Sequence, residues 1–206
     1  SVVAMLAGYY TRRAVAGDDA GDEPVVVTTP NASGRIDQQV TAAGGRVERV
    51  RLGALHEGIA AVDRGAVVFV AEPWKHIHPS FGGWIDGVVS AALFTGLVAT
   101  HGLATLREPI TERPYRKVSI DCPDGAKAAA MTTLESSLPD AFSEATVSVE
   151  HGVRLALPDG SWLLVRPSGT EPYIRLYAES ESVDEIVDTA TERIEAAIAD
   201  ADGGAD

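Results

Sequence analysis

The sequence is poor in cysteine, lysine and long apolar runs. Its 206 residues contain one cysteine, Cys122, and lysine occurs only at positions 75, 117 and 127. A single cysteine excludes an internal disulfide and a Cys-x-x-Cys metal site, so we predict that Cys122 is a small buried hydrophobe. No apolar run reaches the roughly 20 residues of a membrane-spanning helix. The first residues also lack a signal-peptide pattern, and we expect a cytoplasmic protein with no membrane partner.

Positive charge is also scarce. The chain carries 30 Asp plus Glu against 17 Lys plus Arg, which gives a net charge of -13. Such a surface repels phosphate backbones, so no nucleic acid partner is expected. A phosphate site must therefore be a local group of donors. The acidic, lysine-poor composition is typical of a protein from a high-salt, halophile-like cytoplasm, where screening limits self-repulsion.

Length and patterning predict two domains, residues 1–108 and 109–206, joined near a proline-containing linker at 104–114. In the first domain, strands are predicted at 25–29, 46–52 and 66–70, and helices at 2–14, 33–43, 56–64 and 86–100. The stretch 17–24 is predicted to be a loop. Alternating strands and helices indicate an α/β layer domain, a mixed sheet with flanking helices.

The second domain has a different order of elements. Strands are predicted at 117–122, 145–150, 153–157, 162–165 and 173–177, and helices at 124–137 and 183–200. Because strands now neighbour strands, we expect an α+β domain, an antiparallel sheet with two helices on one face.

One polar loop lies between two apolar strands of this domain, with the sequence Arg-Pro-Ser-Gly-Thr-Glu-Pro at residues 166–172. A guanidinium and two hydroxyls suit an oxyanion, and phosphate or sulfate is the natural ligand. Arg166 offers parallel N–H donors, while Ser168 and Thr170 offer O–H donors. Gly169 is predicted to turn at positive φ, so that successive amides point inward.

The exit strand adds a second cation to this group. If residues 173–177 are extended, Arg175 lies on the polar face with Tyr173 and Tyr177, while Ile174 and Leu176 lie on the other. Arg175 can therefore approach the same anion. The alternative interpretation is a polar hairpin turn with a surface arginine.

Residues 159–179 resemble the phosphate-binding loop of the alpha-D-phosphohexomutases, the group of phosphomannomutase, phosphoglucomutase and phosphoglucosamine mutase. In that family the loop lies in the last of four domains and grips the phosphate of the phosphosugar. The resemblance implies phosphate-binding roles for Arg166, Ser168, Gly169 and Thr170, with Arg175 nearby.

A second group of candidates follows the third predicted strand. Glu72 and His76 stand four residues apart and are placed like ligands for sugar hydroxyls. Their position resembles the Gly-Glu-Glu-Ser-Gly-His sugar-specifying loop of the family's third domain, and Asp86-Gly87 matches the Asp-Gly of the following helix. The resemblance implies sugar-binding roles, although positions 71 and 73–75 carry other residues. An inert surface loop is the alternative, and no metal site is predicted.

The resemblance covers the chain as the family's third and fourth domains. Family enzymes transfer a phosphoryl group between an active-site serine and the sugar, with Mg²⁺ held in an Asp-rich loop. Neither a candidate serine loop nor an Asp-x-Asp-x-Asp-Arg loop occurs here, so catalytic residues and cofactor are expected outside this chain.

Two functions are compatible with these observations, and a third, a structural interaction domain, would require the loop at Arg166 to have no anion affinity. The leading hypothesis is the C-terminal portion of a phosphomannomutase-like isomerase, inactive alone, which binds a hexose phosphate and is completed by N-terminal domains of the same protein. The alternative is a stand-alone or degenerate phosphosugar- or anion-binding module without catalysis.

Overall fold

A computed structural model describes residues 2–17, 23–62 and 66–203 of the chain. These divide into two compact units, Ser1–Glu112 and Arg113–Asp206. Most of the predicted loop at 17–24, and the end of the helix predicted at 56–64, lie outside the described residues.

The boundary between the units lies four residues later than the sequence predicted, after residue 112 rather than after 108. Pro109 belongs to the first unit because its carbonyl accepts a 2.8 Å hydrogen bond from Gln39 Nε2. Ile110 is 8% exposed and packs into the same core. These contacts extend the first unit to the end of the predicted linker.

The first unit confirms the predicted α/β layer with a mixed sheet. Its elements are α1 Val2–Val15, β1 Val25–Thr28, α2 Arg35–Ala42, β2 Arg46–Arg49, α3 Leu55–Ala61, β3 Val67–Glu72, β4 Lys75–Ile77, α4 Gly87–His101 and α5 Leu103–Arg107. The strand order is β2-β1-β3-β4, in which β1 pairs parallel with β2 and β3, and β4 pairs antiparallel with β3.

The central strand β1 is apolar on both faces because helices cover both. Val26 packs in a cluster with residues of α1 and α2, whereas Val25 and Val27 pack in a second cluster with Leu55 of α3. A continuous apolar run, rather than an alternating one, is the expected sequence of such a strand.

Two short elements in this unit escaped sequence analysis. The region between β3 and α4 begins with a tight hairpin, in which Glu72 pairs with Lys75 and residues 73 and 74 form the tip. Three residues, Lys-His-Ile, are too few to carry a strand pattern. The helix α5 lies where the linker was predicted.

The sheet provides a crevice at the carboxyl end of β1. The chain runs from β1 to β2 on one side and returns to β3 on the other, so the strand order reverses at β1. Ligands of open α/β sheets bind outside the carboxyl ends of strands at such a switch point. Thr28 and Glu72, the last residues of β1 and β3, lie at this edge.

The second unit confirms the predicted α+β arrangement. Its elements are β5 Tyr115–Asp121, α6 Lys127–Ala141, β6 Thr146–Ser148, β7 Val153–Ala156, β8 Trp162–Pro167, β9 Tyr173–Glu179 and α7 Val183–Gly203. The sheet order is β5-β9-β8-β7-β6, with every neighbouring pair antiparallel. Both helices contribute to one core, which includes Leu134, Ile194 and, as predicted, the buried Cys122.

Alternation along β9 separates the two faces of this sheet. Ile174 and Leu176 belong to the core under the helices, as the pattern predicted. Tyr177 belongs instead to a small buried cluster with Trp162 and Leu164. Side chains opposite to the helix-covered face therefore include Arg175, two residues before Tyr177.

Gly152, just before β7, sets how closely the chain approaches Arg166. Its φ is +107°, and an added Cβ would lie 2.6 Å from the carbonyl oxygen of Val165 and 2.8 Å from Cβ of Arg166. Only glycine adopts this conformation easily at such a close approach.

We therefore expect Gly152→Ala to lower the free energy of unfolding of the second unit by about 1–3 kcal/mol, through backbone strain and crowding. Native-state hydrogen exchange of amides in β8 measures this value. Gly125→Ala is the control, because a Cβ there meets no heavy atom within 4 Å. Equal stability of the two variants would contradict the proposed close contact.

Candidate functional site

The two arginines of the C-terminal loop region face each other across two strands. Arg166 of β8 is the direct register partner of Arg175 of β9. The next register pair, Pro167 with Ile174, is the last before the five-residue connection 168–172. Side chains paired in this way have Cβ atoms about 4.5–5.5 Å apart, and like charges on directly opposed residues are destabilising. The register thus places two arginine side chains opposite each other near the base of the loop.

Each guanidinium has at least one protein partner, and in each the buried Nε donor has none among the described residues. Arg166 donates from Nη1 to the carbonyl of Pro167 at 3.1 Å and from Nη2 to the Tyr177 hydroxyl at 3.3 Å. Arg175 forms an ion pair with the carboxylate of Glu171. Among the described residues, the buried Nε atoms of both Arg166 and Arg175 have no hydrogen-bond partner. Buried unpaired donors of this kind are costly unless a ligand pairs them.

The loop backbone also offers donors. The amide of Ser168 is used, since it donates to the carbonyl of Tyr173 at 2.8 Å, and the amide of Tyr173 donates to the carbonyl of Glu171 at 2.8 Å. Within the described part of the chain, the amides of Gly169, Thr170 and Glu171 have no such partner. Three successive N–H groups are therefore available to an anion.

The prediction of a positive φ at Gly169 is wrong. Gly169 is not among the described glycines with positive φ, whereas Gly152 and Gly160 of the same unit are. Two-residue hairpins require positive φ, but a five-residue connection can turn through ordinary conformations. The glycine leaves open space instead: an added Cβ would meet no heavy atom within 4 Å.

Lys127 is a component of this region that sequence analysis missed. Its Nζ lies 2.9 Å from the carbonyl oxygen of Ser168, 2.6 Å from that of Glu171 and 2.6 Å from Oδ1 of Asp124. It stands 41 residues before Ser168 in sequence, at the first position of α6. Because its loop partners are backbone carbonyls, no residue pattern within the loop could have indicated it.

The second candidate group lies on the β3–β4 hairpin. Glu72 Oε1 accepts a 2.9 Å hydrogen bond from the amide of Gly53, and Oε2 lies 3.1 Å from Nζ of Lys75. The chain therefore already engages both carboxylate oxygens of Glu72. Glu72 occupies the position that the family resemblance indicates, but one of its oxygens already accepts from the amide of Gly53.

His76 ends a chain of hydrogen-bonding side chains. Its Nδ1 lies 2.8 Å from Ser90 Oγ, which lies 2.8 Å from Nε2 of His78, whose Nδ1 lies 2.9 Å from the Tyr10 hydroxyl. Burial, followed by the neighbouring His78, lowers the pKa of His76 and favours the neutral ring. Among the described residues, Nε2 of His76 is buried without a partner.

A cavity of about 610 Å³ brings Glu72 and His76 together with Ser33, Arg35 and Ser90. Its volume is within the range of small-molecule sites, roughly 300–1,000 Å³. Trp74, at the hairpin tip and 94% exposed, also contributes to its wall. The cavity thus contains both predicted sugar-binding residues.

In the described part of the chain, no three His, Cys, Asp or Glu side chains form a group that could hold a metal ion. No described helix is both long and apolar enough to cross a membrane.

Comparisons with known proteins identify relatives of both units. The family described as "Phosphoglucomutase/phosphomannomutase, C-terminal domain" matches residues 118–200. A phosphopentomutase of Thermococcus kodakarensis is 41% identical over 186 residues, covering 87% of this chain and 38% of the relative. A probable phosphoglucosamine mutase of Methanothermobacter thermautotrophicus is 38% identical over 162 residues, covering 76% and 35%. The chain thus spans well under half the length of these curated relatives.

Solved structures share the fold at low identity. A phosphoglucomutase/phosphomannomutase family protein from Burkholderia thailandensis has a TM-score of 0.74 at 16% identity, covering 95% of this chain and 41% of that one. An N-acetylphosphoglucosamine mutase from Aspergillus fumigatus, solved with GlcNAc-6P and magnesium, has a TM-score of 0.62 at 17% identity, covering 95% and 46%. Both predicted fold classes are found together in these proteins.

The contacts of Glu72 predict different effects for two substitutions. Glu72→Gln keeps a carbonyl acceptor for the amide of Gly53, whereas Glu72→Ala removes it. We expect hydrogen exchange at the Gly53 amide to accelerate about five- to tenfold in Glu72→Ala, the loss of one ordinary hydrogen bond, and to change little in Glu72→Gln.

Lys75→Ala is the control, because it removes the ion pair and leaves the hydrogen bond to Gly53 intact. Unchanged exchange at Gly53 in Glu72→Ala would show that this carboxylate is not committed to the turn.

Proposed function

Because the chain belongs to the alpha-D-phosphohexomutase family, we propose that it supplies the sugar-phosphate-binding loops of a phosphomutase. Arg166, Ser168, Gly169 and Thr170 hold the phosphate group, together with Arg175. Glu72 and His76 contact the sugar.

The observation that carries this proposal is the direct cross-strand pairing of Arg166 with Arg175. Like charges on directly opposed residues repel, and each arginine retains a buried Nε donor without a partner in the described residues. An anion between them relieves the repulsion and pairs both donors. A hydrogen bond to a charged group contributes about 1.5–3 kcal/mol, so several such bonds give useful affinity.

The donor set fits phosphate better than carboxylate. A carboxylate presents two oxygens in one plane, whereas phosphate presents oxygens in several directions. Here donors come from two guanidiniums, from the hydroxyls of Ser168 and Thr170, and from the available amides of Gly169 and Thr170. The carboxylate of Glu171 is the present counterion of Arg175, and a phosphate has to share or displace it.

The acidic character of the chain does not oppose such a site. Charges separated by more than a Debye length, about 8 Å at physiological ionic strength, are largely screened. The net charge of -13 is spread over the surface, whereas the donors of the loop are in direct contact with the anion. Contact bonds survive screening better than distant repulsion does.

Of the two proposed sugar-binding residues, His76 has fewer of its polar atoms paired. Its neutral ring has one nitrogen near Ser90 and another, Nε2, without a partner in the described residues. When Nδ1 carries the proton, Nε2 accepts from a sugar hydroxyl. Glu72 shares its oxygens with Gly53 and Lys75, so it binds a hydroxyl as a third partner.

A hexose phosphate is the proposed ligand, and a pentose phosphate is its competitor. Relatives named for a pentose and for glucosamine are similarly identical to this chain, at 41% and 38%. The phosphate contacts are common to both sugars. For the whole protein we propose an isomerase of the phosphomutase type with Mg²⁺ held by other domains. The described residues of this chain offer no group of side chains for a metal.

The loop assignment predicts an ordered series of affinities for inorganic phosphate. Arg166→Ala should weaken binding at least about tenfold, since it removes a charge-assisted bond of 1.5–3 kcal/mol. Arg166→Lys should lose less, because it keeps the charge but not the two-pronged geometry. Titration of phosphate, followed at the amides of Gly169 and Thr170, measures the series.

Arg116→Ala is the matched control. Arg116 is also an arginine of the second unit, but it pairs with Asp184 of α7 rather than with the loop. Its loss should change the affinity less than about twofold if only general charge is altered. Loop amides that do not move in the wild type, or equal responses of Arg166→Ala and Arg116→Ala, would refute the phosphate assignment.

A further inference from the structure

We propose that Lys127 is a positioning residue of the phosphate site: its ammonium group holds two loop carbonyls on one side, so that the loop amides remain available to the anion. This inference rests on the proposed function, and it adds a residue outside the loop motif.

The hydrogen-bond capacity of Lys127 is completely used. An ammonium has three N–H donors, and Nζ has three acceptors within 2.9 Å: the carbonyls of Ser168 and Glu171 and the carboxylate of Asp124. Its side chain is 12% exposed. A surface lysine samples many rotamers, but one with three such partners is fixed in place.

The two carbonyls lie at opposite ends of the loop tip. Ser168 and Glu171 are three residues apart, a spacing at which a tight turn closes by its own backbone hydrogen bond. Among the described residues, the amide of Glu171 makes no such bond to the carbonyl of Ser168, and the lysine bridges the carbonyls of Ser168 and Glu171 instead. Lys127 therefore replaces a backbone bond that would have consumed the amide of Glu171.

The geometry of the peptide between Ser168 and Gly169 then orients the N–H of Gly169. The described residues contain no cis peptide bond, and in a trans peptide the N–H points opposite to the C=O. Because the carbonyl of Ser168 points at Lys127, the amide of Gly169 points away from it. No described residue accepts that N–H. An anion on that side meets N–H groups rather than the negative ends of carbonyl dipoles.

The position of Lys127 on α6 makes this arrangement rigid. It is the first residue of a helix whose Leu134 and Leu138 are buried in the core. Cys122, the residue after β5, also binds the loop, because its amide donates to the carbonyl of Pro172 at 2.8 Å. The loop is thus attached to the core at Lys127 and Cys122, which leaves its open side for a ligand.

The test compares three forms of the full 206-residue chain with the wild type, using inorganic phosphate as the probe. Lys127→Met keeps the aliphatic stem and removes all three donors; it should weaken phosphate binding about tenfold and shift the Gly169 amide even without phosphate. Lys127→Arg can still donate to both carbonyls and should stay within about threefold of the wild type.

Lys117→Met is the charge-matched control. Lys117 is on β5 of the same unit, and its Nζ lies 6.0 Å from the centroid of the Tyr177 ring. Its loss should cost less than about threefold in affinity. If Lys127→Met and Lys117→Met bind phosphate equally, Lys127 acts only through its charge and the proposal fails.

Two further outcomes remain decisive. If Lys127→Met does not fold, as thermal unfolding would show, Lys127→Arg judges the proposal: a loss beyond about tenfold would overturn it. If the wild type itself does not bind phosphate, the proposed function fails. The role of Lys127 in positioning the loop is then measured by the Gly169 amide shift in the absence of ligand. In that case an unmoved Gly169 amide in Lys127→Met overturns the inference, and a shift restored by Lys127→Arg supports it.

Discussion

The pairing of two like charges across β8 and β9 is the constraint on which the C-terminal site depends. Strand register fixes Arg166 opposite Arg175, and like charges on directly opposed residues are unfavourable. The neighbouring Glu171 partly supplies one through Arg175. Folding therefore builds a place for negative charge into the sheet, and the core under α6 and α7 provides the free energy that holds it.

The same constraint is our basis for proposing an anion site on an acidic chain. The positive charge is not a property of the surface as a whole but of a few side chains whose positions are fixed by backbone pairing. Two further residues contribute to these positions. Gly152 permits close approach of the chain to Arg166, and Lys127 binds the carbonyls of the loop. Neither was predicted to take part, yet both contact the residues of the proposed site or its backbone.

The part of the site that could be predicted was contiguous in sequence. Arg166 to Pro172 forms a recognisable run, and alternation along the exit strand places Arg175 on the polar face. Register was not predictable, because it depends on the pairing of two strands. Lys127 was not predictable because its loop partners are backbone carbonyls distant in sequence.

In the first unit, too, features that are contiguous in sequence were predictable, and features that depend on strand pairing were not. Its layers followed from strands that alternate with helices, while β4 was missed because three residues carry no period. That hairpin brings Lys75 to the Glu72 carboxylate and leaves His76 with an unpaired nitrogen among the described residues. The family-like spacing of Glu72 and His76 was visible in the sequence, but their existing partners were not.

A crystal structure of the chain grown with sulfate would show whether the loop at residues 166–172 holds an anion. We expect a tetrahedral anion in hydrogen-bond contact, at roughly 2.7–3.2 Å, with the guanidiniums of Arg166 and Arg175 and with the amide of Gly169. The carboxylate of Glu171 should then share or leave its place beside Arg175. Ordered sulfate elsewhere, with this loop empty and Glu171 still paired with Arg175, would contradict the phosphate assignment.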